Sequence, residues 1–201
     1  MIGAIVLAAG QSRRMGTQKL LLPLGGKTVI ACVVDVLLAS GLGPVLVVVG
    51  QGPELISSAL KGRSVKLVTN PEPSADMLGS VRCGLRALPV ECDGVLVALG
   101  DQPSIQPRTI SALSGIFESS GQGIVVPVYG GKRGHPILIS TRFREEIMTG
   151  FATDGLCGLL RAHPDKVLEW AEAGAEVLRD VDTLADYQRE LSLMDQNRGV
   201  L

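Results

Sequence analysis

The run Ile2-Gly3-Ala4-Ile5-Val6-Leu7-Ala8 leads into Ala9-Gly10-Gln11-Ser12-Arg13-Arg14-Met15-Gly16-Thr17-Gln18-Lys19. A short apolar run that breaks at glycine into a polar loop reads as a strand covered on both faces, the kind found in parallel sheets. Further strands are expected at Val45–Val49, Lys66–Thr69, Gly94–Leu99, Gly123–Val128, Pro136–Ile139, Val167–Trp170 and Val177–Arg179. Helices are expected at Thr28–Ser40, Pro53–Leu60, Gly79–Leu88, Pro107–Ser119, Thr141–Met148, Gly155–Ala162 and Thr183–Ser192, with the end from Asn197 frayed. Several of these have a glycine or proline at a boundary, as at Gly41 and Pro89. Gly130–Gly134 reads as a glycine-rich turn. Strands alternating with helices predict an α/β fold, a Rossmann-like, doubly wound, mostly parallel sheet. Residues 1–201 are expected to form a single domain, since neither an internal repeat nor a linker interrupts them.

The composition narrows the function. The chain has 201 residues, 46% of them apolar, and a formal net charge of −1 from 19 basic and 20 acidic residues. That balance argues against duplex nucleic acid as a partner, which calls for a basic surface. Apolar runs are too short to span a membrane, and Met1 leads straight into the first strand without a basic leader. Cys32, Cys83, Cys92 and Cys157 are irregularly spaced, and His135 and His163 are the two histidines, so a Cys/His zinc site is not expected. A cytoplasmic protein with reduced thiols is the expectation.

In doubly wound sheets ligands bind beyond the carboxyl ends of the strands, which directs attention to Gly10–Lys19, Asn70–Ser80 and Gly100–Pro103. Arg13, Arg14, Lys19 and Lys27 all precede the first acidic residue, Asp35. Gly10 and Gly16 let the backbone turn its N–H groups toward an anion, and the cations add forked and point-charge donors. The loop is either a polyphosphate cradle or a solvated basic segment. It is not a Walker loop, since five residues separate Gly10 from Gly16, nor does it carry the dinucleotide G-x-G-x-x-G. Asp101, in Gly100-Asp101-Gln102-Pro103, either holds magnesium or is a helix N-cap or turn aspartate before Pro107. His135 either meets a second substrate or is structural. His163 reads as a helix-end residue and Trp170 as core.

Leu7 to Lys19 resembles the L-A-[AG]-G-x-S-x-R-M-G-x-x-K signature of the MobA-like nucleotidyltransferases, and within them the molybdenum cofactor cytidylyltransferase branch. The resemblance extends through Asn70-Pro71 with Met77, Ser80, Gly84 and Leu85, then Gly100–Pro103, Arg133-Gly134-His135-Pro136, and Asp180-Val181-Asp182-Thr183 with Asp186-Tyr187. The motifs keep their order along nearly the whole chain. The resemblance implies a nucleotide-diphospho-sugar transferase type of fold. It also implies an enzyme that moves CMP from CTP to molybdopterin and releases pyrophosphate, with Mg2+ as cofactor. Ala8, Ala9, Gly10, Arg14, Lys19 and Ser80 would bind the nucleotide. Lys19, Arg14 and Asp101 would be catalytic, and Asp101 with Asp182 would bind the metal. Alanine at position 9 goes with cytidine users, glycine with guanosine users.

Other readings stay open. The acceptor is alternatively a sugar or alcohol phosphate, and the nucleotide GTP. A carrier without catalysis would hand the cofactor to a molybdoenzyme, and an oxidoreductase on the same scaffold is a further class. Two positions depart from the pattern. Asp76 stands where glycine is usual before Met77, and Ala152-Thr153-Asp154-Gly155 moves an aspartate by one place. Asp154 therefore ranks behind Asp182 as second metal ligand, and Asp182 itself is alternatively a helix cap.

Overall fold

The computed structural model describes residues 1–10, 18–72 and 76–198. Ten strands appear among them: β1 (Ile2–Ala8), β2 (Pro23–Leu24), β3 (Lys27–Thr28), β4 (Val45–Val49), β5 (Lys66–Thr69), β6 (Gly94–Leu99), β7 (Ile124–Tyr129), β8 (Lys132–Arg133), β9 (Ile137–Ser140) and β10 (Val167–Trp170). The helices are α1 (Val29–Ala39), α2 (Glu54–Ala59), α3 (Met77–Ala87), α4 (Pro107–Ser120), α5 (Arg144–Thr149), α6 (Gly155–Ala162) and α7 (Leu184–Arg198).

The main sheet runs β10-β7-β9-β6-β1-β4-β5, with β8 added to β7. β1 lies at its centre, parallel to β4 and β6, and β4 is parallel to β5. β9 runs antiparallel to both β6 and β7. The sheet is therefore mostly parallel, as expected, with two reversed strands, the short β8 and β9, whose direction the apolar run at Ile137–Ile139 did not reveal. Alternate residues of each strand serve opposite layers. Ala4 and Val6 join Val47, Leu96 and α1 and α4 residues such as Val34 and Leu113 on one side. Ile5 joins Val48, Val97 and α3 and α6 residues such as Val81 and Leu159 on the other. Because both faces are covered, β1, β4 and β6 carry almost no polar residues. Burying one such aliphatic side chain contributes roughly 1.5–3 kcal/mol.

Local chemistry sets the helix ends. Thr28 caps α1 by accepting from the Ala31 N–H (3.4 Å), and Pro107 opens α4. α3 begins at Met77 rather than at Gly79, because Asp76 Oδ1 accepts from the Gly79 N–H at 2.9 Å. The β7–β8 hairpin turns through Gly130 and Gly131, at φ 56° and 75°, which suits glycine.

Some expectations are corrected. Val177–Arg179 is not a strand. Ala175–Leu178 forms a 3-10 turn instead, whose Val177 carbonyl accepts from the His135 N–H at 2.9 Å. Thr141–Met148 divides into a 3-10 turn at Thr141–Phe143 and α5. The last helix is longer than expected, and Asn197 belongs to it. The β2–β3 hairpin went unforeseen. Its Leu24 packs with Val29 and Cys32 against Tyr187, Leu191 and Met194 of α7. Among the described residues no helix is long and apolar enough to cross a membrane.

Candidate active site

Lys19 opens a short 3-10 turn, Lys19–Leu21, at the carboxyl end of β1. Leu20 is buried beneath it and fixes the turn. Asp101 follows β6, whose pairing with β1 continues one step further as the Gly100 N–H donates to the Leu7 carbonyl at 3.0 Å. Asp182 arrives from the far end of the chain, and the Val181 N–H donates to the Asp101 carbonyl at 2.9 Å. These three backbone placements bring three side chains together. Lys19 Nζ donates to Asp101 Oδ2 at 2.6 Å and to Asp182 Oδ1 at 2.6 Å.

The electrostatics follow from the burial of this group. Desolvation opposes the Lys19 charge, but the hydrogen bonds to Asp101 and Asp182 outweigh it and hold its pKa above the ordinary value. Asp180 lies close by; burial first, then the charges of Asp182 and Asp101, push its carboxyl up. Neither aspartate caps a helix, although Asp101 does lie in a turn. Gln106, not Asp101, stands at the N-cap of α4. Thr183 and Asp186 form a reciprocal pair at the start of α7, with the Thr183 N–H donating to Asp186 Oδ2 (2.9 Å) and the Asp186 N–H to Thr183 Oγ1 (3.2 Å). Asp182 thus faces Lys19 instead of capping.

Gln18 and Leu20, on either side of Lys19, help to line a cavity of about 330 Å³, whose lining does not include Lys19, Asp101 or Asp182 themselves. Ala8, Ala9 and Gly10 form one wall, and Gly50 to Gly52, beyond β4, form the other. The wall beyond β4 was not singled out in the sequence, although it sits at a strand's carboxyl end, where such sheets bind ligands. Ser80 does not line this cavity; it is buried and accepts from Asn70 Nδ2 at 3.2 Å. Arg13, Arg14 and Gly16 lie outside the described residues.

Other candidates stand apart. Asp154 pairs with Arg161 at 2.6 Å in an exposed setting, and Asp76 is occupied as a helix cap. His163 closes α6 and its Nε2 lies 2.8 Å from Glu146 Oε2. Trp170 is partly buried against the core. Burial lowers the His135 pKa, and the Asp101 charge counters part of that.

Among the described residues no three His, Cys, Asp or Glu side chains gather into a metal cage. Magnesium does not require one, since one or two carboxylates plus substrate phosphates and water suffice. Asp101 and Asp182 already converge on a single cationic atom. Their hard oxygen donors therefore fit a divalent ion.

A mostly parallel sheet with a cationic turn and two carboxylates at its carboxyl edge is suited to handling phosphate groups, and the family match puts the chain in the nucleotidyltransferase class. The MobA-like NTP transferase domain pattern matches residues 4–167, and the chain belongs to that family. It is 28% identical to the Escherichia coli molybdenum cofactor cytidylyltransferase over 92% of this chain and 93% of that protein. It is 25% identical to the nicotine blue oxidoreductase of Paenarthrobacter nicotinovorans, over 94% and 96% of the two chains. The bifunctional protein GlmU of Sorangium cellulosum is 33% identical over 59% of this chain, which spans only 26% of that protein. Among solved structures, Rv0371c of Mycobacterium tuberculosis superposes with a TM-score of 0.83 at 30% identity, covering 95% of this chain and 97% of that one. Rv0371c has also been solved as a complex with manganese.

Proposed function

We propose that the protein is a cytoplasmic, magnesium-dependent nucleotidyltransferase that joins CMP from CTP to the phosphate of a molybdopterin-type acceptor and releases pyrophosphate. The observation that carries this reading is Lys19 bridging Asp101 and Asp182 beside the Ala8–Gly10 wall. The match to a cytidylyltransferase over nearly both full lengths supports the choice of CTP and acceptor, as does Ala9. Cysteines that are all free support a reducing compartment. A molybdoenzyme would then receive the product.

An ionised phosphomonoester is already a nucleophile near neutral pH. One of its oxygens attacks the α-phosphorus of CTP, a new P–O bond forms, and the bond to the β-phosphate oxygen breaks. Both bonding electrons leave with pyrophosphate. No general base is needed, so catalysis depends on position and charge. Ala8, Ala9 and Gly10 would seat the nucleotide, with Ser80 nearby, and Arg14 and Lys19 would bind the triphosphate. Lys19 would also stabilise charge gathering on the transferred group. Asp101 and Asp182 would hold magnesium, which when bound neutralises phosphate charge.

A panel of nucleoside triphosphates, scored for pyrophosphate with and without molybdopterin, tests the reading. Release with CTP and molybdopterin alone is the expected result. Release with GTP, or with a sugar or alcohol phosphate, would change the substrate. CTP binding without turnover would leave a carrier. The likeness to nicotine blue oxidoreductase favours one second reading, a redox enzyme on this scaffold. Oxidation of a nicotinamide cofactor without any pyrophosphate release would select it.

A further inference from the structure

Behind the two aspartates the protein buries another carboxylate. Glu190, on α7, is 1% exposed at its side chain. Its Oε2 accepts from the hydroxyl of Ser104, on the segment that carries Asp101. Its Oε1 lies 3.5 Å from Arg179 Nε, on the segment that carries Asp182, an ion pair without a hydrogen bond between these two atoms. The same segments meet directly where the Val181 N–H donates to the Asp101 carbonyl at 2.9 Å. Glu190 thus spans a junction that the backbone also spans.

Docking α7 does not account for this carboxylate. Tyr187, Leu191 and Met194 supply the helix's apolar anchor, against Leu24, Val29 and Cys32. The Tyr187 hydroxyl adds a bond to the Pro23 carbonyl. A buried carboxylate is costly unless it is paired, and an apolar residue would serve packing as well. What an apolar residue would lose is the link between Ser104 and Arg179.

We infer that Glu190 is a positioning residue, whose carboxylate sets the spacing of Asp101 and Asp182 by bridging the segments that carry them. The inference rests on the reading of that pair as the metal-binding carboxylates. Groups that orient metal ligands affect metal affinity and turnover although they touch neither metal nor substrate. The residue lies outside every motif quoted from the sequence, and its spacing on α7 gives no sign of the role.

Glu190→Gln keeps the shape and an acceptor for Ser104 but removes the charge facing Arg179. Ser104→Ala opens the bridge from its other end. Mn2+ affinity by electron paramagnetic resonance, steady-state kinetics with CTP, thermal unfolding and amide exchange at Val181 are the readouts. Glu190→Gln should weaken Mn2+ binding about tenfold or more and lower kcat with little change in KM for CTP. In an Asp182→Asn background the same change should have no further effect on either quantity, since the carboxylate being positioned is gone. Equal losses in both backgrounds would mean that Glu190 acts on stability alone and would overturn the inference. So would a folded Glu190→Gln with unaltered Mn2+ affinity and kcat. If Glu190→Gln fails to fold, Ser104→Ala decides by the same comparison. Val181 exchange is independent of activity and should quicken relative to β6 amides in either variant. A wild type that neither binds Mn2+ nor uses CTP would overturn the metal reading, and unchanged Val181 exchange would then overturn the inference separately.

Discussion

Lys19 and Asp182 are 163 residues apart in the chain and 2.6 Å apart in space. The ammonium occupies the point on which Asp182 and Asp101 converge, so a divalent ion held there, as proposed, would compete with Lys19 for the same oxygens. Lys19→Met should therefore take up Mn2+ more tightly than wild type in the absence of nucleotide. Its turnover should fall on the order of a hundredfold or more, with a smaller change in CTP affinity, if the charge acts mainly in the transition state. Paramagnetic resonance and steady-state kinetics check both halves, and a variant altered only in KM would remove Lys19 from the chemistry.

The carboxylates should rank in a definite order. Asp101→Asn should nearly abolish turnover, Asp182→Asn should reduce it strongly, and Asp154→Asn should leave it close to wild type because Asp154 pairs with Arg161 instead. Magnesium titrations of the three variants measure the ranking. Full activity in Asp101→Asn would end the metal assignment.

Ala9 forms part of the cavity wall. Ala9→Gly should shift the CTP/GTP preference toward GTP by roughly tenfold, the scale of one methyl group in a pocket. Competition between the two nucleotides gives the ratio directly, and an unchanged ratio would place base choice elsewhere in the cavity.

A pH dependence of stability is expected from Asp35. Arg63 Nε donates to its Oδ1 at 2.6 Å and Lys27 Nζ to its Oδ2 at 2.5 Å. The bond to Arg63 above all, opposed by burial and aided by Lys27, lowers the Asp35 pKa. A depressed carboxylate stabilises the fold fully above its unfolded value and loses that contribution as pH falls through the folded one. Asp35→Asn should cost about 1 kcal/mol near neutral pH. The gap to wild type should close progressively below about pH 4. Urea unfolding across that range supplies the comparison; a gap that widened in acid would contradict the sign.

Gly134→Ala should disturb the fold next to the site. A methyl group there would fall on the Val177 carbonyl oxygen, which already accepts from the His135 N–H. Backbone cannot rotate aside, so a loss of roughly 1–3 kcal/mol is expected. Thermal unfolding measures it.

How much of this was legible depends on what each residue does. β1, β4 and β6 could be read because burial on both faces leaves nearly unbroken apolar runs. Val177 deceived for the opposite reason. Its side chain is buried, but its carbonyl serves His135 rather than a neighbouring strand, and two apolar residues in three carry no period. Asp76 stood out as a departure until its bond to Gly79 gave it a local task. No spacing argument could join Lys19 to Asp182; their pairing depends on how the last segment crosses the sheet edge. The resemblance named both residues for the site, but not their contact with each other.

The long separation between Lys19 and Asp182 also orders events during synthesis. A growing chain would complete β1, β4, β5 and β6 well before the segment with Asp182 is made. Until then Lys19 and Asp101 lack the Asp182 carboxylate, and α7 has not yet closed over Leu24. Closing so long a loop costs only slowly increasing entropy, so the delay is set by translation rather than by chain search. The contact between Lys19 and Asp182 therefore waits on the segment that follows β10.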